Sequence, residues 1–306
     1  MENLKELINS YLGYCQYQKK LSPKTIKAYT IDLQQFQTYL DSINKKIHKQ
    51  TITGYITHIH KNYKSKSIKR KIACLKAFFN HLEYEELIIS NPFDKINVKF
   101  KEPFVLPKTI PIETIQKILS ASYSEKKGTT HANNSVTRDI AVLELLFATG
   151  VRVSELCSLK EHDVDINSQL IRISGKGSKE RIVQIGNIDV LNALKNYQQC
   201  FAKHITQCGY FFVNRFYQRL SEQSVRFIIR KYTKQANVDK HLTPHMFRHS
   251  FATLLLEEDV DIRYIQKLLG HSSITTTQIY THVTSTKQKQ ILTTKHPRNK
   301  IVVNKG

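Results

Sequence analysis

Thr243-Pro244-His245-Met246-Phe247-Arg248-His249-Ser250 reads as the cap and opening turns of a helix. Thr243 suits the N-cap, Pro244 suits the first helical position, and the apolar residues that follow keep helical spacing through Glu257. His245 and Arg248 fall at i and i+3, so they share a face. Phe247, Phe251, Leu254 and Leu255 form the opposite stripe, expected to pack inward. A second helix is expected over Ile262–Leu269, ended by Gly270, with His271 directly after it. A third is expected over Ile274–Val283, carrying Tyr280. One C-terminal segment therefore gathers imidazoles, a guanidinium and a phenol.

Upstream, Arg138–Thr149 reads as an apolar helix stopped by Gly150, and Arg152 and Glu155 follow within one helical turn of each other. Gln169–Ser174 and Glu180–Ile185 alternate as strands around Gly175-Lys176-Gly177-Ser178, a β-hairpin pattern. Helices are also expected over Ile112–Ser120, Val190–Lys203 and Ser221–Gln235, while the polar stretch Ser122–Ser135 reads as a loop. The N-terminal part is helical throughout. Ser22-Pro23 is a cap and first-turn pair, and Ile26, Tyr29, Leu33, Phe36 and Leu40 recur behind it. Ser67 opens a further helix with Ile68, Ile72, Leu75, Phe79 and Leu82 on one face and Lys69, Arg70, Lys71 and Lys76 around the others. Pro92, Pro103, Pro107 and Pro111 interrupt periodicity between the two parts. The expected organisation is a helical domain over 1–97, a linker over 98–107 and a second domain over 108–306. The fold class is mainly α with a small β-sheet, α+β.

The chain has 306 residues, 40% of them hydrophobic, enough for two cores. Lys and Arg outnumber Asp and Glu by 47 to 25, a formal charge of +22. Both parts share the excess, which points to a polyanion, most simply nucleic acid. Lys69, Arg70 and Lys76, with Lys179 and Arg181 beside the hairpin, are the candidate phosphate contacts. Cys15, Cys74, Cys157, Cys200 and Cys208 have no CxxC spacing, so neither a metal site nor a disulfide framework is expected. The N-terminus has no apolar signal core and no apolar run is long enough to span a membrane, so a cytoplasmic, nucleoid-associated protein is expected.

A phosphodiester under attack gathers charge on its non-bridging oxygens, and fixed donors aimed there lower the barrier. Arg152 and Arg248 suit that work, since a guanidinium binds two oxygens at once and stays protonated. Glu155 is placed to orient Arg152 or a neighbouring His. Lys176, at a hairpin tip, has the reach to protonate a leaving oxygen. Tyr280 has a nucleophilic oxygen whose pKa of about 10 needs nearby cations to fall. His249 reads as a structural histidine. Gly175-Lys176-Gly177-Ser178 lacks Walker A spacing, no carboxylate cluster suggests two metals and the histidines are not in HExxH order. Metal-free, cofactor-free chemistry is expected.

Ala148-Thr149-Gly150-Val151-Arg152-Val153-Ser154-Glu155-Leu156, Gly175-Lys176-Gly177, His245-Met246-Phe247-Arg248-His249, Leu268-Leu269-Gly270-His271-Ser272 and Ile279-Tyr280-Thr281-His282 together resemble the tyrosine recombinase (phage integrase) family. The nearest likeness is to XerC/XerD-type enzymes and short mobile-element integrases, across nearly the whole chain. The resemblance implies a site-specific DNA recombinase in which Tyr280 forms a 3′-phosphotyrosyl link. Arg152 and Arg248 would hold the phosphate, Lys176 would act as general acid, and His245 and His271 would serve in proton exchange or phosphate binding. It implies a core-binding domain and a catalytic domain forming a C-shaped clamp on double-stranded DNA at a specific site. It also implies four protomers, identical or from a paired recombinase, at synapsis through a C-terminal oligomerisation tail. The length of Ser122–Ser135 leans toward a mobile-element integrase over chromosome-dimer resolution. A type IB topoisomerase-like enzyme and a non-catalytic DNA-binding relative are the alternatives.

Overall fold

The computed structural model describes residues 4–44, 46–94, 96, 107–125, 130–175 and 180–270. The chain divides into two compact units, Met1–Phe104 and Val105–Gly306. The first holds α1 (Leu4–Tyr17), α2 (Pro23–Ile43), α3 (Lys49–Asn62) and α4 (Ser65–Tyr84). Ser22 caps α2, its Oγ accepting the Thr25 amide at 3.2 Å, and Pro23 supplies the first-turn φ. Leu33, Phe36 and Leu40 are buried with Tyr11, Tyr55, Ile72, Leu75, Phe78 and Phe79. α4 starts at Ser65, two residues before the expected Ser67, because the amides of Ser67 and Ile68 both donate to the Lys64 carbonyl. Lys71, expected among the basic surface residues, is 2% exposed. It donates to Asp32 Oδ1 at 2.9 Å and to Gln35, and lies 4.5 Å from the Tyr63 ring centre. The buried carboxylate of Asp32 also takes Arg70.

The second unit holds α5 (Ile112–Tyr123), α6 (Thr130–Thr149), α7 (Val153–Leu156), the strands β1 (Val164–Asp165), β2 (Leu170–Ser174) and β3 (Glu180–Gln184), then α8 (Ile188–Cys208), α9 (Glu222–Gln235), α10 (Pro244–Glu257) and α11 (Ile262–Leu269). α6 is the central post, packed by α5, α8, α9 and α10. All six residues from Ala141 to Leu146 are buried, so it has no solvent stripe there. Its one acid in that run, Glu144, accepts the Tyr123 hydroxyl at 2.8 Å, and burial raises its carboxyl above the ordinary glutamate range. α6 begins well before Arg138, and Thr130–Ser135 is helix where a loop is expected. No proline or glycine lies between Thr130 and Thr149, so the backbone stays helical through a polar opening that hydropathy reads as loop.

The hairpin pairs Leu170 with Gln184, Arg172 with Ile182 and Ser174 with Glu180, and β1 adds a third antiparallel strand that alternation in the sequence does not reveal. α8 runs past both expected ends. The Asn187 side chain caps its start and Gly209, at φ 72°, ends it. α10 and α11 keep their expected bounds, but Thr243 occupies the cap position of α10 without a side-chain capping bond. The inward stripe of α10 is also different: Phe247 is buried, Phe251, Leu254 and Leu255 only partly, and Arg248 is 4% exposed. Among the five cysteines, all free, Cys15, Cys74 and Cys157 are buried, while Cys200 is exposed. Among the described residues no helix is long and apolar enough to cross a membrane.

Candidate active site

α6 ends at Gly150, whose φ of 57° turns the chain out of the helix. A Cβ there would stand 2.6 Å from Phe251 Cδ1 and 3.0 Å from Leu269 Cδ2, so this turn is closed down against α10 and α11. Two residues later Arg152 stands at the N-cap of α7 in extended conformation. Its cap is supplied by Glu155, which accepts the Arg152 amide at 3.0 Å and Arg152 Nη1 at 2.6 Å. The same carboxylate accepts Arg181 Nη2 at 2.7 Å and Nη1 at 3.2 Å. Burial alone would raise the Glu155 carboxyl, but hydrogen bonds from Arg181 and Arg152 outweigh it and hold it below the ordinary glutamate value. Of the two guanidiniums Arg152 is the open one, its side chain 35% exposed against 11% for Arg181.

Arg248 donates Nη1 to the Gly150 carbonyl and Nη2 to the Leu269 carbonyl, both at 2.7 Å. Each carbonyl lies at a helix C-terminus, where carbonyls lack intrahelical partners and the helix dipole is negative. One buried cation thus joins the ends of α6 and α11, which resolves the apparent conflict of a charge on a packed helix face. His245, one turn before it on α10, is exposed. Partial desolvation and the fields of Arg248, Arg152 and Arg226 lower its pKa, so it is neutral at pH 7 and able to accept a proton. His249 is half-buried. Burial first, then His245 and Arg248, push it down to about 4.

The structure therefore brings Arg152, Glu155, Arg181, Arg248 and His245 into one neighbourhood of the second unit. Arg226 of α9, paired with Glu222 at 3.0 Å, contributes to the field at His245, a role that sequence reasoning misses because its only signal there is the i, i+4 pairing with Glu222. Arg181, a candidate phosphate contact by sequence, is instead engaged at all three nitrogens, with Nε donating to the Leu268 carbonyl at 2.8 Å. In the first unit Lys69 and Arg70 are exposed on α4 and Lys76 is half-buried, with Arg70 drawn to Asp32 and to the Ala28 carbonyl at 3.3 Å. Lys176, Lys179, His271 and Tyr280 lie outside the described residues, as do the expected helix 274–283, the C-terminal tail and most of the expected linker.

Comparison with known proteins bears directly on this arrangement. Residues 109–287 match the model of the phage integrase family, and residues 8–86 match that of the phage integrase N-terminal SAM-like domain. The chain belongs to the phage integrase family. The first match covers the whole neighbourhood just described, and the second falls within the first compact unit. A tyrosine recombinase of Agathobacter rectalis is 53% identical over 301 residues, 97% of this chain and 98% of that protein. Tyrosine recombinase XerD of Listeria innocua is 35% identical over 305 residues, 96% of this chain and all of that protein. The crystal structure of XerH bound to palindromic difH substrate superposes with a TM-score of 0.76 at 20% identity, covering 95% of this chain and 84% of that one. This phage integrase family member is a tyrosine recombinase, an enzyme of site-specific DNA recombination.

Proposed function

We propose that the chain cuts and rejoins double-stranded DNA at a specific site by attack of Tyr280 on the scissile phosphate. In the forward step the Tyr280 Oη–P bond forms and the P–O5′ bond breaks. The phenolic proton passes to neutral His245 and the departing 5′ oxygen takes a proton from Lys176. Arg152 and Arg248 hold the phosphate, and His271 binds it or relays a proton. The reverse attack, by the 5′ hydroxyl of another strand, completes exchange. The phosphodiester energy is stored in the tyrosyl link, so no nucleotide cofactor is consumed. The observation that carries this reading is the half-exposed Arg152 held by buried Glu155 beside a neutral His245 and the buried Arg248. It is a preorganised cationic site with a base at hand.

The partner is double-stranded DNA, supported by the charge of +22 and by the palindromic difH substrate of the XerH complex. Its palindromic substrate supports symmetric pairs of protomers, and two such pairs make the four-protomer synapse, built from this chain alone or with a paired recombinase. Lys69, Arg70, Lys76 and Lys179 are assigned to the DNA backbone, residues 1–97 to core binding and 108–306 to catalysis. A cytoplasmic, nucleoid-associated location follows from that substrate. The exchange serves either integration and excision of a mobile element, toward which the length of Ser122–Ser135 leans, or Xer-type dimer resolution.

The test is a covalent trap. Randomly nicked chromosomal fragments from the source organism lose the short strand after cleavage, so the adduct accumulates. The unaltered chain is expected to retain DNA of one sequence class, and Tyr280→Phe to bind it without forming an adduct. An adduct surviving in Tyr280→Phe removes Tyr280 from the role.

A further inference from the structure

Arg181 sits on β3 and spends its whole guanidinium inside the protein. Nη1 and Nη2 bind the two oxygens of Glu155, and Nε binds the Leu268 carbonyl at the end of α11. Its side chain is 11% exposed. Gly270, at φ 64°, lets it lie there. A Cβ at that position would stand 2.9 Å from Arg181 Nη1 and 3.1 Å from its Cδ. Glu155 is thereby held from β3 as well as from its own helix. Arg152 reaches the same carboxylate and is the one guanidinium of this pair with open surface.

Charge sharpens the point. A lone Glu155–Arg152 pair would be neutral, and an incoming phosphate would have to compete with the full carboxylate for Arg152. With Arg181 on the same carboxylate the triad keeps one net positive charge, presented through Arg152. The fork of Arg181 also fixes the plane of the carboxylate, which fixes where Arg152 points.

We infer that Arg181 is a positioning residue for DNA cleavage: it orients and partly neutralises Glu155, so that Arg152 is aimed at the scissile phosphate with its charge available, and it ties this unit to the end of α11. The inference rests on the reading of Arg152 as a phosphate ligand. Arg181 itself touches no DNA.

The experiment uses the full chain and a nicked duplex of the sequence recovered by the trap. Single-turnover adduct formation is measured at saturating DNA, with DNA affinity measured in parallel and thermal melting as the check on folding. Arg181→Met is expected to slow cleavage by about tenfold or more, as misplacement of a phosphate ligand does, with affinity held within about twofold. In an Arg152→Lys background the same substitution is expected to cost less than about twofold, because residues acting through one another are not additive. Arg181→Lys, which keeps the charge but loses the fork, is expected to fall between, and it carries the comparison if Arg181→Met does not fold. Equal losses in both backgrounds would overturn the inference in favour of a general structural role. A large loss of affinity with cleavage at saturation intact would overturn it in favour of direct phosphate contact. An adduct from the unaltered chain with either of those outcomes removes this inference alone. No adduct from the unaltered chain removes the underlying reading, and this one with it.

Discussion

Glu155 carries two guanidiniums on one carboxylate, and Arg248 satisfies two helix ends with one guanidinium. Both devices hold cations in place before any phosphate arrives, which is what electrostatic preorganisation requires. The histidines of α10 are held below the ordinary histidine value first by burial and then by neighbouring charge, that of Arg248 in both cases. For His249 this has a consequence for stability. A histidine in the unfolded chain titrates near 6.5, while burial and the neighbouring positive groups hold the folded one at about 4. Below pH 6.5 the unfolded chain gains a proton that the fold refuses, so stability falls as pH drops through that window and is whole above it. Denaturant unfolding from neutral to acid pH is expected to show about 2 kcal/mol less of this decline in His249→Asn than in the unaltered chain. An identical decline in the two would refute the assignment. At this scale the sequence showed residue types and spacing but not partners. Arg152, Glu155, His245 and Arg248 were legible as a set. The burial of Arg248 and the engagement of Arg181 were not, because their acceptors are backbone carbonyls and a carboxylate between 21 and 98 positions away.

The helices divide by how loudly their ends are signalled. α2, α9, α10 and α11 were legible from cap residues, an N-terminal proline or a closing glycine. The start of α6 was not, since its opening is polar, and β1, two residues long, carries no period to detect. Pairing between elements was equally hidden. Lys71 of α4 reads as a surface base, yet it closes a buried ion pair with Asp32 of α2. Removing one member strands the other in the core, so Asp32→Ala is expected to destabilise the first unit by about 3–5 kcal/mol. Chemical denaturation of the full chain, read through exchange of α2 and α4 amides, measures it. The double substitution Asp32→Leu with Lys71→Met is expected to recover most of the loss, and a single substitution without cost would contradict the account.

Over the whole molecule, the charge of +22 and two basic units describe a protein made for a polyanion. Neutralising several phosphates releases counterions, so DNA affinity is expected to fall by roughly a thousandfold or more between about 50 and 200 mM salt. A flat response in a titration would contradict extensive phosphate contact. Family and fold class were legible from five ordered motifs, because their spacing survives where individual contacts cannot be read. In the proposed reaction Tyr280 is the group that becomes bonded to DNA. The chain has 15 tyrosines, so the measurement is to digest the trapped adduct with trypsin and nuclease and locate the nucleotide-bearing residue by mass spectrometry. The mass of a 3′-nucleotide is expected on Tyr280 and on no other residue. A nucleotide on any other side chain would contradict it.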